Sequence, residues 1–134
     1  MIVQSYLFFE GRAEEAIEFY KKAVGAKVEM LMRNSESPDQ QMAHAVAGDK
    51  ILHASITIGD STVMLSDGFA KGQPKFEGFA LALSVKTQAE ADKIFAALAD
   101  GGKVTMPLSK TFFSPSFGML HDKFGVQWMI MVSP

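Results

Sequence analysis

Two stretches of sequence decide the fold: AEEAIEFYKKAVGAKVEM at residues 13–30 and AEADKIFAALADGGKVTM at residues 89–106. They agree at Ala13/Ala89, Glu14/Glu90, Phe19/Phe95, Ala23/Ala99, Gly25/Gly101, Lys27/Lys103, Val28/Val104 and Met30/Met106. That is eight of eighteen positions, where chance would supply about one or two. Any two Ala- and Glu-rich amphipathic helices would share Ala13 and Glu14. The ordered Gly-x-Lys-Val-x-Met tail has no such explanation and marks an internal duplication.

Working outward, each copy opens on a short apolar run, 6–9 and 81–85, that reads as a buried strand. A helix follows in each. Ala13, Ala16, Ile17, Phe19, Tyr20 and Ala23 recur at three-to-four spacing in the first copy, and Ala91, Ile94, Phe95 and Leu98 in the second. Gly25 and the pair Gly101-Gly102 stand where a helix end needs positive φ. Extended segments at 27–32 and 103–108 come next. The first copy then reads as a hairpin, 51–58 and 62–66 about a Gly59-Asp60-Ser61 turn; the second as 118–121 and 126–132 about the turn 122–125. Each half is therefore strand, helix, strand, strand, strand. The fold class is α+β, with a first βαβββ module at 1–67, a Gly- and charge-rich linker at 68–78, and a second module at 79–134, together one structural domain.

Composition removes several functions. The 134 residues contain no cysteine, which excludes disulfide frameworks, zinc knuckles and thiol nucleophiles. Lys and Arg number 13 against 15 Asp and Glu, scattered and summing to −2, so no basic field exists for nucleic acid. No apolar stretch approaches the roughly 20 residues of a membrane span, and the first residues lack a basic leader pattern. A cytoplasmic protein is expected, with no membrane partner.

A βαβββ module covers one sheet face with its helix and leaves the other open, so two modules are expected to lay their open faces together around a cleft. Alternation says what lines it. Leu52, Ala54, Ile56 and Ile58 oppose His53, Ser55 and Thr57; Leu81, Leu83 and Val85 oppose Ala80, Ala82 and Ser84; Val126, Trp128, Ile130 and Val132 oppose Gln127, Met129 and Met131.

The segments YLFFEGRAEEAIEFYKKAVGAKV, HASITIGDSTVMLSD and GGKVTMPLSKTFFSPSFGMLHDKFGVQWMI together resemble the PhnB-like branch of the glyoxalase, bleomycin-resistance and extradiol dioxygenase (vicinal oxygen chelate) superfamily. The final FGMLHDKFGVQWMI is the most specific piece, although Lys123 stands where the family more often has Pro and His121 where it has a small polar residue. The resemblance implies a cupped, mixed eight-stranded sheet with helices outside, usually in a homodimer. For the metal-dependent members it also implies a divalent ion held from four strands. Those positions fall on Ser5, on Met64 or Leu65, on Ala80 and on Met129, none of them a ligand for a hard metal. No cofactor is expected.

The remaining cleft residues make a thinner set. His53, mid-strand on the polar row, is the candidate acid or base, since imidazole titrates near neutrality; the competing reading is a histidine satisfied by the backbone. Asp67 shares the parity of Leu65 and is expected to point into the cleft or to close a turn. Gln127 and Ser84 are candidate ligand contacts on inward rows. Thr111–Phe117 places Phe112, Phe113 and Phe117 in a loop, either a lid over a flat ligand or part of a subunit interface. His44 lies in the aperiodic stretch 34–50, and His121 is expected at the surface. Three functions are compatible: binding or metal-independent conversion of a small molecule, sequestration of a drug or metabolite without turnover, and a metal-dependent lyase, isomerase or dioxygenase built unconventionally from Asp67, Glu77 or His53. No glycine-rich strand-to-helix loop offers a seat for a nucleotide-like methyl donor.

Overall fold

The computed structural model describes residues 1–38 and 46–134. His44 lies outside the described residues. The chain divides into two compact units, residues 1–74 and 75–134, parted inside the Gly-rich linker.

Unit 1 comprises β1 (Ser5–Phe8), α1 (Ala13–Val24), β2 (Lys27–Arg33), a short 3-10 turn (Asn34–Glu36), β3 (Ile51–Ile58) and β4 (Ser61–Ser66). Its four strands run in the order β1-β4-β3-β2, with β1 parallel to β4 and the other pairs antiparallel. Unit 2 repeats the plan with β5 (Leu81–Val85), α2 (Gln88–Ala99), β6 (Lys103–Ser109), β7 (Phe117–His121) and β8 (Gln127–Val132), in the order β5-β8-β7-β6. Two mixed four-stranded sheets thus carry the βαβββ pattern read from the duplication.

The expected alternation holds in β8, while β3 buries Ile51, Ala54 and Ile56 and leaves Leu52 and Ile58 half-exposed. Val126, Trp128, Ile130 and Val132 are all buried, while Gln127, Met129 and Met131 are half-exposed. In unit 1, Leu7, Ala54, Ile56, Val63 and Leu65 form the matching apolar row, packed with Ala13, Ala16, Ile17 and Tyr20 of α1. Burying such side chains stabilises by roughly 1.5–3 kcal/mol each.

The helices depart from the simple repeat. The buried residues of α1, Ala16, Tyr20 and Ala23, correspond to Ala91, Phe95 and Leu98 of α2, an offset of 75. The strands β1/β5 and β2/β6 keep the offset of 76. Unit 2 carries an additional residue, Asp100, between its helix and Gly101, and α2 begins correspondingly earlier after its strand. Hence Phe95 is buried, whereas its aligned partner Phe19 is only half-buried.

Helix starts differ as well. Thr87 caps α2 locally, its Oγ1 accepting from the Glu90 N–H at 3.2 Å. Arg12 offers α1 no side-chain cap. Asp67, from the far end of β4, supplies one instead: its Oδ1 accepts from the Gly11 N–H at 3.0 Å and the Ala13 N–H at 2.8 Å. Helix α1 ends on a left-handed glycine, Gly25 at φ 68°, whereas α2 passes through the extended Asp100 before Gly101 at φ 78°, a conformation that a residue with a Cβ resists.

Candidate functional site

The open face of unit 1 follows from strand register, since directly opposed residues share a face. Tyr6 opposes Met64 and Phe8 opposes Ser66 across β1 and β4; Met64 opposes Ser55 across β4 and β3; Met30 opposes Ser55 and Met32 opposes His53 across β3 and β2. Tyr6, Phe8, His53, Ser55 and three methionines therefore lie away from α1. In unit 2 the corresponding face carries Met106, Met119, Met129 and Met131, with Ser84 opposite Met131 and Gln127 opposite His121. Seven of the nine methionines in the chain occupy open-face positions. Such flexible, polarizable side chains conform to irregular apolar partners and favour aromatic ones.

His53 is the one expected polar residue that the structure joins to a partner of clear chemical use. The Tyr6 hydroxyl lies 2.9 Å from His53 Nδ1, and the two rings stack at 5.5 Å between centroids with 29° between planes. Strand β4 separates β1 from β3, so the two side chains meet across it. The row of β4 between His53 and Phe8 holds Ser66, small and 3% exposed, which leaves room for that meeting. Phe8 extends the series, its ring 4.9 Å from Tyr6 and the residue 54% exposed. His53 is therefore satisfied by a phenol and not by a backbone group. Tyr6 escaped the sequence reading, although period-two alternation from the buried Leu7 would have placed it on the open face.

Of the two places expected for Asp67, the cleft is not the one it takes. Its parity with Leu65 is as read, but Leu65 faces α1, so the carboxylate turns to the helix side. There it accepts from the Gly11 and Ala13 N–H groups and, through Oδ2, from the Ile51 N–H at 2.7 Å. Three backbone donors saturate it, and it lies on the opposite side of the sheet from His53. Unit 2 buries a carboxylate elsewhere, Asp122 in the β7–β8 turn, with Oδ1 accepting from the Phe124 and Val126 N–H groups and Oδ2 from the Trp128 indole N–H at 2.9 Å.

The aromatic segment is only partly a loop. Phe117 opens β7, paired with Ser109 and Met131, and is buried. Phe113 stands edge-on to it at 5.1 Å, and Phe112, edge-on to Phe113, is fully exposed. The Ser114 hydroxyl donates to the Val132 carbonyl at 2.6 Å and pins the segment to β8. Gln127 donates to the Phe76 carbonyl at 3.4 Å, and Ser84 is exposed. His121 is half-buried on the open face beside Gln127, not at the free surface expected of it. A polar hollow of about 420 Å³, lined by Gly25, Lys27, Glu29, Thr57 and Gly59, lies at the other end of the β2–β3 pair from His53.

The metal positions implied by the resemblance do not fit a hard divalent ion. Ser5 shares the helix-side parity of Leu7, Met64 and Met129 present thioethers to the open face, and Ala80 has no donor. Among the described residues no three His, Asp or Glu side chains gather as a metal-binding group. The exposed Glu77 stands 3.8 Å from Lys75, and Asp67 is saturated. Among the described residues no helix is long and apolar enough to cross a membrane.

Two successive βαβββ units define the class of fold to which the chain belongs. The fosfomycin resistance protein FosX of Listeria monocytogenes shares this fold, with a TM-score of 0.65 over 100% of this chain and 93% of that one at 9% identity. Within that class the chain belongs to the PhnB-like family described as 3-demethylubiquinone-9 3-methyltransferase, whose model matches residues 2–131. Protein YjdN of Escherichia coli is 33% identical over 140 aligned positions, covering 98% of this chain and 95% of YjdN. The crystal structure of protein PA1353 from Pseudomonas aeruginosa is 37% identical, with a TM-score of 0.86 over 99% of this chain and 98% of that one.

Proposed function

We propose that this protein binds a small, flat, largely apolar molecule on the open face of unit 1, over the Phe8–Tyr6–His53 rings, without a resident hard divalent metal. The observation that carries this reading is the 2.9 Å Tyr6–His53 hydrogen bond. It fixes an imidazole among exposed and half-buried aromatic and thioether groups, where a few placed polar atoms can orient an apolar ligand. Ser84 and Gln127, with Phe112, Phe113 and Phe117, are the corresponding contacts proposed in unit 2.

The family description names methyl transfer to a demethylubiquinone. That reaction is not carried over. At the start of α1, where backbone N–H groups could cradle an anionic group, the Gly11 and Ala13 N–H groups are held by Asp67. A second reading, turnover with His53 as acid or base, is favoured by the orientation that Tyr6 imposes on the ring. A homodimer belongs to the same proposal, supported by the largely exposed edge strands β2 and β6.

The test is a thermal-shift panel of aromatic and aliphatic small molecules on wild type and His53→Ala, with product analysis of every binder. Aromatic binders weakened by the substitution are expected. A panel without a single shift, or affinities indifferent to His53→Ala, would sink the reading. Conversion of a bound compound would establish turnover over sequestration.

A further inference from the structure

Resting on that binding reading, we infer that the site selects planar aromatic molecules bearing a hydrogen-bond-accepting oxygen, carbonyl or carboxylate, and that His53 Nε2–H is the donor that selects them. Tyr6 engages Nδ1 and leaves Nε2 as the imidazole atom available to a ligand. A phenol is a good donor and neutral imidazole nitrogen a good acceptor, so the bond runs from Tyr6 O–H to Nδ1 and puts the ring proton on Nε2. The other tautomer, with the proton on Nδ1, would leave the Tyr6 hydroxyl proton without a protein acceptor, because His53 is its one hydrogen-bond partner among the described residues. The arrangement that uses both groups therefore presents an Nε2–H donor to the ligand.

Three further features specify the rest of the molecule. Tyr6 and His53 stack with 29° between planes and Phe8 tilts 35° from Tyr6, a series that a flat ring can extend. Met32, opposite His53, and Met64, opposite Tyr6, add thioethers that favour aromatic contact. Of the two carboxylates that flank β4, Asp67 faces α1 and Asp60 stands at the end away from His53, so neither competes for Nε2–H.

The experiment uses the full chain labelled with ¹³C-methyl methionine and ¹⁵N histidine, titrated with 2-acetonaphthone, 2-naphthoate and the donor-only 2-naphthylmethylammonium. The two acceptor probes are expected to move the Met32 and Met64 methyl signals and to bind at least about tenfold tighter than the ammonium. His53 should show a protonated Nε2. His53→Phe should erase the preference, and His53→Gln, which retains an N–H donor, should recover part of it. Equal affinities for all three probes, an unprotonated Nε2, or a preference untouched by both substitutions would overturn the ligand class while leaving aromatic binding in place. Failure of every probe to perturb either methyl would overturn both.

Discussion

Removing the Asp67 carboxylate is expected to cost stability and not ligand recognition. The group is 1% exposed and accepts from Gly11, Ala13 and Ile51 N–H groups at 3.0, 2.8 and 2.7 Å. Each buried donor stripped of its partner costs about 1–3 kcal/mol. The Ala13 and Ile51 bonds are buried, whereas the Gly11 bond is part-buried and its donor can recruit water. Against that loss stands the desolvation of the carboxylate itself, which the variant no longer bears. Asp67→Ala should therefore lose roughly 3–4 kcal/mol, a large share of the 5–15 kcal/mol typical of a domain. Asp67→Asn keeps the oxygen facing Gly11 and Ala13 but sets an amide donor against the Ile51 N–H, and should lose about 2–3 kcal/mol. Urea unfolding followed by circular dichroism reads the totals, and hydrogen exchange should quicken first at Ala13 and Ile51. A loss below about 1 kcal/mol for Asp67→Ala, with unchanged exchange at those amides, would refute the capping argument. A weakened ligand affinity at full stability would restore Asp67 to the binding site.

Three other perturbations follow from the same geometry. Gly118→Ala would put a Cβ 2.8 Å from the Phe95 ring and 2.9 Å from the Met106 carbonyl oxygen, so overpacking should cost about 1–3 kcal/mol in chemical denaturation. Asp122→Ala strands two backbone donors and the Trp128 indole N–H, and should lose about 3–4 kcal/mol with a shift in Trp128 fluorescence. The hydrogen bond from Arg33, at 2.6 Å, holds the Glu14 carboxyl below its ordinary value of 4.5. A depressed folded value makes this contribution complete above the ordinary carboxylate range and lost as pH falls below 4.5 through that value. Because the pair is exposed, Glu14→Gln should cost under about 1 kcal/mol at pH 7, less in high salt, and nothing at lower pH; a difference independent of pH would contradict the assignment.

Much of the fold was legible because duplication repeats its punctuation. Gly25 and Gly101 mark both helix ends, and the apolar and polar rows of β8 alternate as a strand covered on one side must. What escaped required knowledge of strand order. Alternation places Tyr6 and His53 on one face, but their meeting depends on β4 lying between β1 and β3 with a serine in the intervening row. The parity of Asp67 was legible and its side was not, because parity says which residues share a face and not which face the helix covers. The one-residue shift of α2 was hidden by the chance alignment of Phe19 with Phe95, which conceals the equivalence of Tyr20 and Phe95 on the packed faces. Thr87 and Glu90 formed a readable capping signal, whereas the cap of α1 comes from a residue 54 positions away.

The central claim is that a flat ligand lies on the open face of unit 1 against the Tyr6–His53 pair. Intermolecular NOEs between the ring protons of bound 2-naphthoate and the methionine methyls of the full chain test it most directly. The account predicts contacts to Met32 and Met64, lost in Tyr6→Ala; contacts confined to Met106, Met119, Met129 or Met131 would contradict it.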